Sequence, residues 1–430
     1  MVDSSRNYVD GQWSETRTGD TVDVVNPANP TETIARYQQS GVADANEAVE
    51  AASKAAEAWA NTAGPERGAV LREAGKRLDT RTDELTDQLV AEEGKARPEA
   101  AGEVQRAVDI FYYFAEKASD LGGTVKGPSG RNTNLYTREE PVGVAALITP
   151  WNYPIAIPAW KLAPALAAGN TVVLKPASLA PGPALALAEA LDEAGLPDGV
   201  CNVVTGPGST VANAFVQHEA VDAVSFTGSS HVGEMVYDQA TDEGKRVQTE
   251  MGGKNPTVVA ASADPAEAAE IVAAGGFGTT GQSCTACSRA IVHEDVSNDF
   301  VAELVDRAES VDVGPGLEHE MGPHVSQDEL DSTLEYVDVA RNEGATLAAG
   351  GGVPEGEAVE DGYFVEPTVF TDVESDMRIA QEEVFGPVVA VIEVSDFEEG
   401  IEVANDVPYG LSASVVTDDH TEANRFVDEA

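Results

Sequence analysis

The stretch VGVAALITPWNYPIAIPAWKLAPALAAGNTVVLK (142–175) decides the fold. Its first segment, VGVAALIT (142–149), is a nearly unbroken apolar run with β-branched residues, which reads as a strand buried on both faces. PIAIPAWKLAPALAAG (154–169) reads as a helix closed by Gly169, and TVVLK (171–175) as a second buried strand. The alternation continues outward. PALALAEALDEAG (183–195) is a helix ending on Gly195, and VCNVVTG, VDAVSF and RVQTE are strands, with helices at about 210–218 and 230–240. Upstream, residues 43–118 are rich in Ala, Glu and Arg and read as helices. Residues 122–140 break that pattern with a Gly/Pro/Asn turn between extended segments, as in a protruding hairpin. A second strand–helix series starts at TVVAASAD (257–264) and runs onward through PVVAVIEVSD and LSASVVTDD. The fold class is α/β, two doubly wound parallel sheets plus a hairpin.

Composition narrows the partners. The chain has 430 residues, with 75 Asp plus Glu against 26 Lys plus Arg, a net charge of −49. Such a surface repels phosphate backbones and anionic lipid, so neither nucleic acid nor a membrane is an expected partner. The acids are interleaved with regular apolar patterning, which excludes disorder and leaves a solvated acidic surface suited to molar salt, as in an extreme halophile. Three cysteines, Cys201, Cys284 and Cys287, do not make a secreted disulfide framework. The N-terminus MVDSSRNYVDGQW lacks a basic and an apolar region, and no apolar run reaches the roughly 18 residues of a span. A cytoplasmic protein is expected.

Five motifs fall at strand ends, where open parallel sheets bind ligands. TPWNYP (149–154) places Asn152 either as an amide donor to an oxyanion or as a turn residue between prolines. KPAS (175–178) places Lys175 to donate to ribose hydroxyls or phosphate. FTGSSHVG (226–233) offers Gly228 for close backbone approach, with Ser229 and Ser230 able to cap a helix whose N-terminus faces pyrophosphate. QTEMGGKNP (248–256) sets Glu250 before two glycines, as a general base or as a solvated turn acid. GQSCTACSR (281–289) follows the Gly-rich GGFGTTGQ, so Cys284 reads as a thiolate at a helix N-terminus or as a buried inert thiol. Cys287, three residues on, is either a core residue or a bridging partner for Cys284. No metal is called for.

Taken in order and joined by QEEVFGPVV (381–389), these motifs resemble the aldehyde dehydrogenase superfamily from NPANP (26–30) to NDVPYGL (405–411). The resemblance implies a cofactor-binding domain at 1–121 and 141–252, an oligomerisation hairpin at 122–140 and a catalytic domain at 253–430. It implies Cys284 as nucleophile, Glu250 as the base for the deacylating water and Asn152 as oxyanion donor beside the Cys284 N–H. It further implies Lys175 at the adenosine ribose, Gly208 of TGPG against adenine, Gly228 and Ser229 at the pyrophosphate, and Trp151 on the cofactor side. Glu383 is implied at the nicotinamide ribose and Phe385 on the nicotinamide. The cofactor is NADP or NAD. Where many NAD-preferring relatives carry Glu, this chain has Ser178, which removes repulsion of a 2′-phosphate and favours NADP. Relatives continue beyond the position of Ala430, so a missing C-terminal segment is expected, with a homodimer or homotetramer if that segment is present. The segments KRVQTEMGGKNP and GFGTTGQSCTACSR are most similar to those of enzymes for α-ketoglutarate semialdehyde (2,5-dioxopentanoate), with succinate semialdehyde and betaine aldehyde as alternatives, and a catalytically impaired structural or binding relative as the non-enzyme alternative. The family tunnel implies Tyr153, Ile157 and Trp160 as substrate-lining. Arg106, on EVQRAVDIFYYF, is either an anchor for a substrate carboxylate or a surface helix residue.

Overall fold

The computed structural model describes residues 5–430; the first four residues, on which part of the reading of the N-terminus rests, lie outside them. The described chain divides into two compact units, one of residues 5–25, Glu32–Glu92 and Ala100–Glu250, the other of Asn26–Thr31, Glu93–Glu99 and Met251–Ala430.

The first unit is built on a seven-stranded sheet. In spatial order its strands are Arg246–Glu250, Ala223–Thr227, Val144–Ile148, Thr171–Lys175, Cys201–Val203, Asn7–Val9 and Gln12–Ser14. The first five run parallel and the last two are added antiparallel. Parallel neighbours need crossover connections, and the helices Ala156–Ala167, Gly182–Glu193 and Ser230–Asp242 supply them. Side chains alternate across the sheet as the two-residue period demands. Ala145, Leu147, Val172 and Leu174 enter one core, while Val144, Ala146, Ile148 and Val173 enter the other. From Val144–Ile148 the chain moves outward through Thr171–Lys175 and Cys201–Val203, then returns to the other side as Ala223–Thr227. The order therefore reverses beside Val144–Ile148, and the crevice at the carboxyl ends of such strands is where open α/β sheets take ligands.

Four helices, Val42–Ala60, Gly64–Thr80, Thr82–Glu93 and Arg97–Lys117, lie in sequence between the strand Gln12–Ser14 and the central strand Val144–Ile148. Within the hairpin segment, Val125–Lys126 pairs with Leu135–Tyr136 antiparallel, and Val125, Leu135 and Tyr136 are exposed. The short strands Asn7–Val9 and Gln12–Ser14 are absent from the sequence reading; at three residues each they carry too little periodicity to register.

The second unit holds a six-stranded sheet in the order Thr346–Ala349, Thr368–Thr371, Val388–Val394, Cys287–His293, Asn255–Val259 and Ser414–Val416. Only the first pair is antiparallel. Helix Pro265–Phe277 starts at Asp264, whose carboxylate accepts the Glu267 N–H at 3.0 Å, with Pro at the first helical position. Arg289, on the strand Cys287–His293, is fully buried and has no carboxylate partner among the described residues. Its guanidinium instead donates to the carbonyls of Lys254 (3.0 Å), Val403 (2.9 Å) and Ala404 (2.8 Å), tying the GGKNP loop to that strand. Among the described residues, no helix is long and apolar enough to cross a membrane.

Candidate active site

In the first unit, Trp151 and Asn152 lie in the turn directly after the central strand Val144–Ile148, with Asn152 buried. The following helix is fixed from outside. Glu103, buried on helix Arg97–Lys117, accepts the N–H groups of Ile155 and Ala156, both at 3.0 Å, at the start of Ala156–Ala167. A carboxylate at a helix N-terminus satisfies orphan donors and complements the dipole, so it sets where the turn carrying Asn152 ends. The sequence reading misses Glu103, because nothing in a helical repeat marks which acid turns inward.

Lys175 ends its strand, is buried, and forms no ion pair among the described residues. Burial lowers its pKa to about 8. A Cβ on Gly208 would stand 3.9 Å from its Nζ, and the Ser178 hydroxyl donates to the Gly206 carbonyl at 3.0 Å. Lys175, Ser178 and the TGPG turn are thus brought together. Gly228 donates its N–H to the Glu250 carbonyl at 3.1 Å, and a Cβ there would lie 2.6 Å from the Phe226 ring, so only glycine fits. Ser229 is the N-cap of the 13-residue helix Ser230–Asp242; its side chain makes no capping hydrogen bond, and the first turn carries no acid. An unpaired buried ammonium, an uncompensated helix N-terminus and close-approach glycines are the donor set that an anionic dinucleotide requires.

Glu250 closes the strand Arg246–Glu250 and is exposed. Its Oε1 accepts from Gln248 Nε2 at 2.6 Å; Gln248 Oε1 accepts from Ser225 Oγ at 2.5 Å, and Ser225 Oγ accepts from Lys161 Nζ at 2.7 Å. Every donor in this ladder points towards Glu250. Burial lowers the Lys161 pKa to about 8, against the opposing pull of Glu250. Lys161 sits in the otherwise apolar run AIPAWKLAPALA, a signal the sequence reading leaves unused. Of the candidate substrate residues, Ile157 is buried, Tyr153 half-buried and Trp160 51% exposed, while Arg106 is exposed on its helix and forms no ion pair among the described residues.

In the second unit the structure corrects the expected setting of Cys284. The thiol is not at a helix N-terminus: helix Pro265–Phe277 ends before it, a 3-10 turn Gly278–Gly281 follows, and Cys284 lies in a turn ahead of the strand Cys287–His293. The Gly-rich composition of GGFGTTGQ reflects tight backbone approach instead of helix initiation. Thr279, Thr280 and Gly281 are all left-handed, with φ of 53°, 56° and 66°. For the two threonines that costs about 1–3 kcal/mol each, which the surroundings must hold. A Cβ on Gly281 would lie 2.1 Å from the Gly386 carbonyl oxygen, so this loop is pressed against the QEEVFGP loop. Asn255, from GGKNP, latches the turn by donating to the carbonyls of Cys284 (2.8 Å) and Ala286 (2.9 Å).

Cys284 is half-buried, whereas Cys287 is buried with Sγ 3.1 Å from Thr257 Oγ1, and burial raises its pKa. Cys287 is therefore the core residue of the two readings. Glu383 accepts the Gly253 N–H at 3.3 Å; burial raises its pKa, opposed by that hydrogen bond and by Lys254. Phe385 is left-handed at φ 58°.

Comparison with known proteins matches this arrangement to a family. The profile of the "Aldehyde dehydrogenase family" matches residues 13–430. The chain is 77% identical over 429 residues to the alpha-ketoglutarate semialdehyde dehydrogenase of Haloferax volcanii, covering 100% of this chain and 89% of that one. It is 42% identical to the alpha-ketoglutaric semialdehyde dehydrogenase of Bacillus subtilis, covering 98% and 87% of the two chains. Among solved structures, betaine aldehyde dehydrogenase from Staphylococcus aureus in complex with NAD+ superposes with a TM-score of 0.97 at 36% identity, over 99% of this chain and 85% of that one. A 3,6-anhydro-L-galactose dehydrogenase bound to NADP gives 0.96 at 36% identity, over 99% and 90%. The chain belongs to the aldehyde dehydrogenase family and is an aldehyde-oxidising enzyme that works with a nicotinamide cofactor.

Proposed function

We propose that the enzyme oxidises α-ketoglutarate semialdehyde to the dicarboxylic acid through a thioester on Cys284. The observation that carries the substrate is the 77% identity over the whole chain to the Haloferax enzyme of that name. The Saccharolobus solfataricus 2,5-dioxopentanoate dehydrogenase, at 42%, bears the same substrate under its other name, while the Bacillus subtilis betaine aldehyde dehydrogenase stands at 37%.

The Cys284 thiolate adds to the aldehyde carbon, forming a C–S bond and an alkoxide. The Asn152 amide and the Cys284 N–H donate to that oxygen; such fixed donors contribute roughly 3 kcal/mol each. When the alkoxide collapses, the C–H bond breaks, a C=O bond re-forms and the thioester remains. A bound nicotinamide supplies the acceptor for the departing hydride. Lys175, Gly208, Gly228 and Ser229 would hold the dinucleotide on the first unit, with Trp151 near it; Glu383 and Phe385 on the second would take its nicotinamide end. Glu250 then removes a proton from water, whose oxygen attacks the thioester carbon and expels the thiolate. Ser178, whose hydroxyl carries no charge, supports use of NADP. The exposed apolar hairpin supports a homodimer or homotetramer, and the acidic surface with three free thiols supports action in the cytoplasm of a salt-rich cell.

Three outcomes follow from these roles. Glu250→Gln should keep a full single-turnover burst of reduced cofactor while steady turnover falls about 100-fold or more, and Cys284→Ala should lose the burst. A burst that vanishes with Glu250 would give that residue the task of activating the thiol. Ser178→Glu should shift the ratio of kcat/KM towards NAD by placing a carboxylate against a 2′-phosphate; unchanged NADP kinetics would move the determinant elsewhere. Arg106→Leu should lower kcat/KM for the carboxylated semialdehyde about 30-fold, with little change for a neutral aldehyde of similar length. Equal losses on both substrates would take Arg106 out of the site.

A further inference from the structure

Behind the Cys284 turn, in the second unit, lies a buried polar cluster with no part in the chemistry above. Gln282, two residues before the thiol, is fully buried, as are His324 and Thr333. Gln282 Oε1 stands 3.0 Å from the Val325 N–H and 3.1 Å from His324 Nδ1, and Gln282 Nε2 donates to the Thr279 carbonyl at 3.4 Å. His324 Nε2 stands 3.1 Å from Thr333 Oγ1. An amide oxygen only accepts, so His324 must carry its proton on Nδ1, and Nε2 then accepts from the Thr333 hydroxyl. Burial keeps the ring neutral, with a pKa of about 3, so this arrangement does not change through the working pH range.

The cluster touches both loops that bear site residues of this unit. Gln282 directly follows the left-handed run Thr279–Thr280–Gly281, which is also held by Thr280 Oγ1 donating to the Gly322 carbonyl at 2.9 Å and the Thr279 N–H donating to Glu99 at 2.6 Å. Thr333 packs on the other loop: a Cβ on Gly386, next to Phe385, would lie 2.4 Å from Thr333 Oγ1. Gly386 in turn is the residue against which Gly281 is pressed. A backbone run in that conformation persists only when its surroundings over-determine it. The three side chains form one continuous donor–acceptor line from the nucleophile loop to Thr333, which packs against Gly386 in the loop of Glu383 and Phe385.

We propose that Gln282, His324 and Thr333 are positioning residues that hold the Cys284 loop in register with the Glu383–Phe385 loop. This rests on Cys284 being the nucleophile. Substituting His324 by an apolar residue takes the His324 donor from Gln282 Oε1 and the ring acceptor from the Thr333 hydroxyl, so the loop relaxes and the thiol loses its aim. The substrate-lining residues of the first unit are untouched, so the effect falls on the acylation rate constant and not on the semialdehyde concentration that half-saturates the burst rate.

The test uses the full chain in molar KCl, with four variants. For His324→Leu, the burst rate at saturating semialdehyde and the rate of Cys284 alkylation by iodoacetamide, located by peptide mass mapping, should each change at least about ten-fold, with the semialdehyde concentration that half-saturates the burst rate within about two-fold of wild type. His324→Gln can donate to Gln282 and accept from Thr333 in the same order, and should restore the burst to within about three-fold. A folded His324→Leu with wild-type burst and alkylation rates overturns the proposal, as does His324→Gln impaired as severely as His324→Leu. If His324→Leu does not fold, Thr333→Val decides: it removes one hydroxyl at nearly constant shape, and an unchanged burst rate overturns the proposal, whereas a slowed burst half-saturated at the wild-type semialdehyde concentration supports it. Cys284→Ser separates the premise. A burst that survives in it removes the nucleophile reading, whereas a burst lost there but intact in His324→Leu overturns the positioning claim alone.

Discussion

Parallel strands have no hairpin to hold them together. Each must be reached by a crossover, and both faces of the sheet must be covered, so Val144–Ile148, Thr171–Lys175 and Ala223–Thr227 exist only because helices pack on either side. That constraint does more than build a core. It turns every strand the same way, so the carboxyl ends converge on one edge, and it makes the chain reverse its order beside the central strand. Asn152, Lys175, Gly228 and Glu250 all stand at that edge of the first sheet. The site is a consequence of connectivity before it is a matter of particular side chains.

Electrostatics then distinguishes the interior of this edge from the rest of the molecule. The surface carries a net charge of −49, yet Lys161 and Lys175 are buried with pKa values lowered to about 8. For a base whose folded pKa lies below its unfolded value, the cost of burial is greatest when the group is charged. Stability contributed by these lysines therefore rises with pH between about 8 and the ordinary lysine value of roughly 10.4, and is lost as pH falls through 8. An anionic partner offsets that cost. Local positive potential inside an acidic shell, screened outside by salt, reconciles a halophilic surface with the binding of a polyanionic cofactor.

What the sequence makes legible follows from period and spacing. Buried strands of five residues and helices of about twelve differ sharply in pattern, so the alternation from 142 onward reads directly, and so does the family. Strands of three residues, such as Asn7–Val9, leave no pattern to find. The setting of Cys284 misleads for a related reason: the glycines of GGFGTTGQ look like the start of a helix but close one and lead into a left-handed run, which composition alone does not distinguish. Glu103, Gln248 and His324 escape because a decisive partner of each, Ile155, Ser225 and Gln282 in turn, lies tens of residues away, and a lone Glu, Gln or His says nothing of the groups it will face. His324 in particular is visible only once Gln282 and Thr333 are seen on either side of it.

The central claim is covalent: the substrate's carbonyl carbon becomes bonded to one sulfur. The most direct measurement is acid quench within the first turnover, with α-ketoglutarate semialdehyde and cofactor in molar salt, followed by peptide mass mapping. The account predicts the acyl increment on the peptide containing Cys284, at close to one equivalent when Glu250 is replaced by Gln. An increment at Cys287 or Cys201, or product formed at full rate with no acylated peptide, would contradict it.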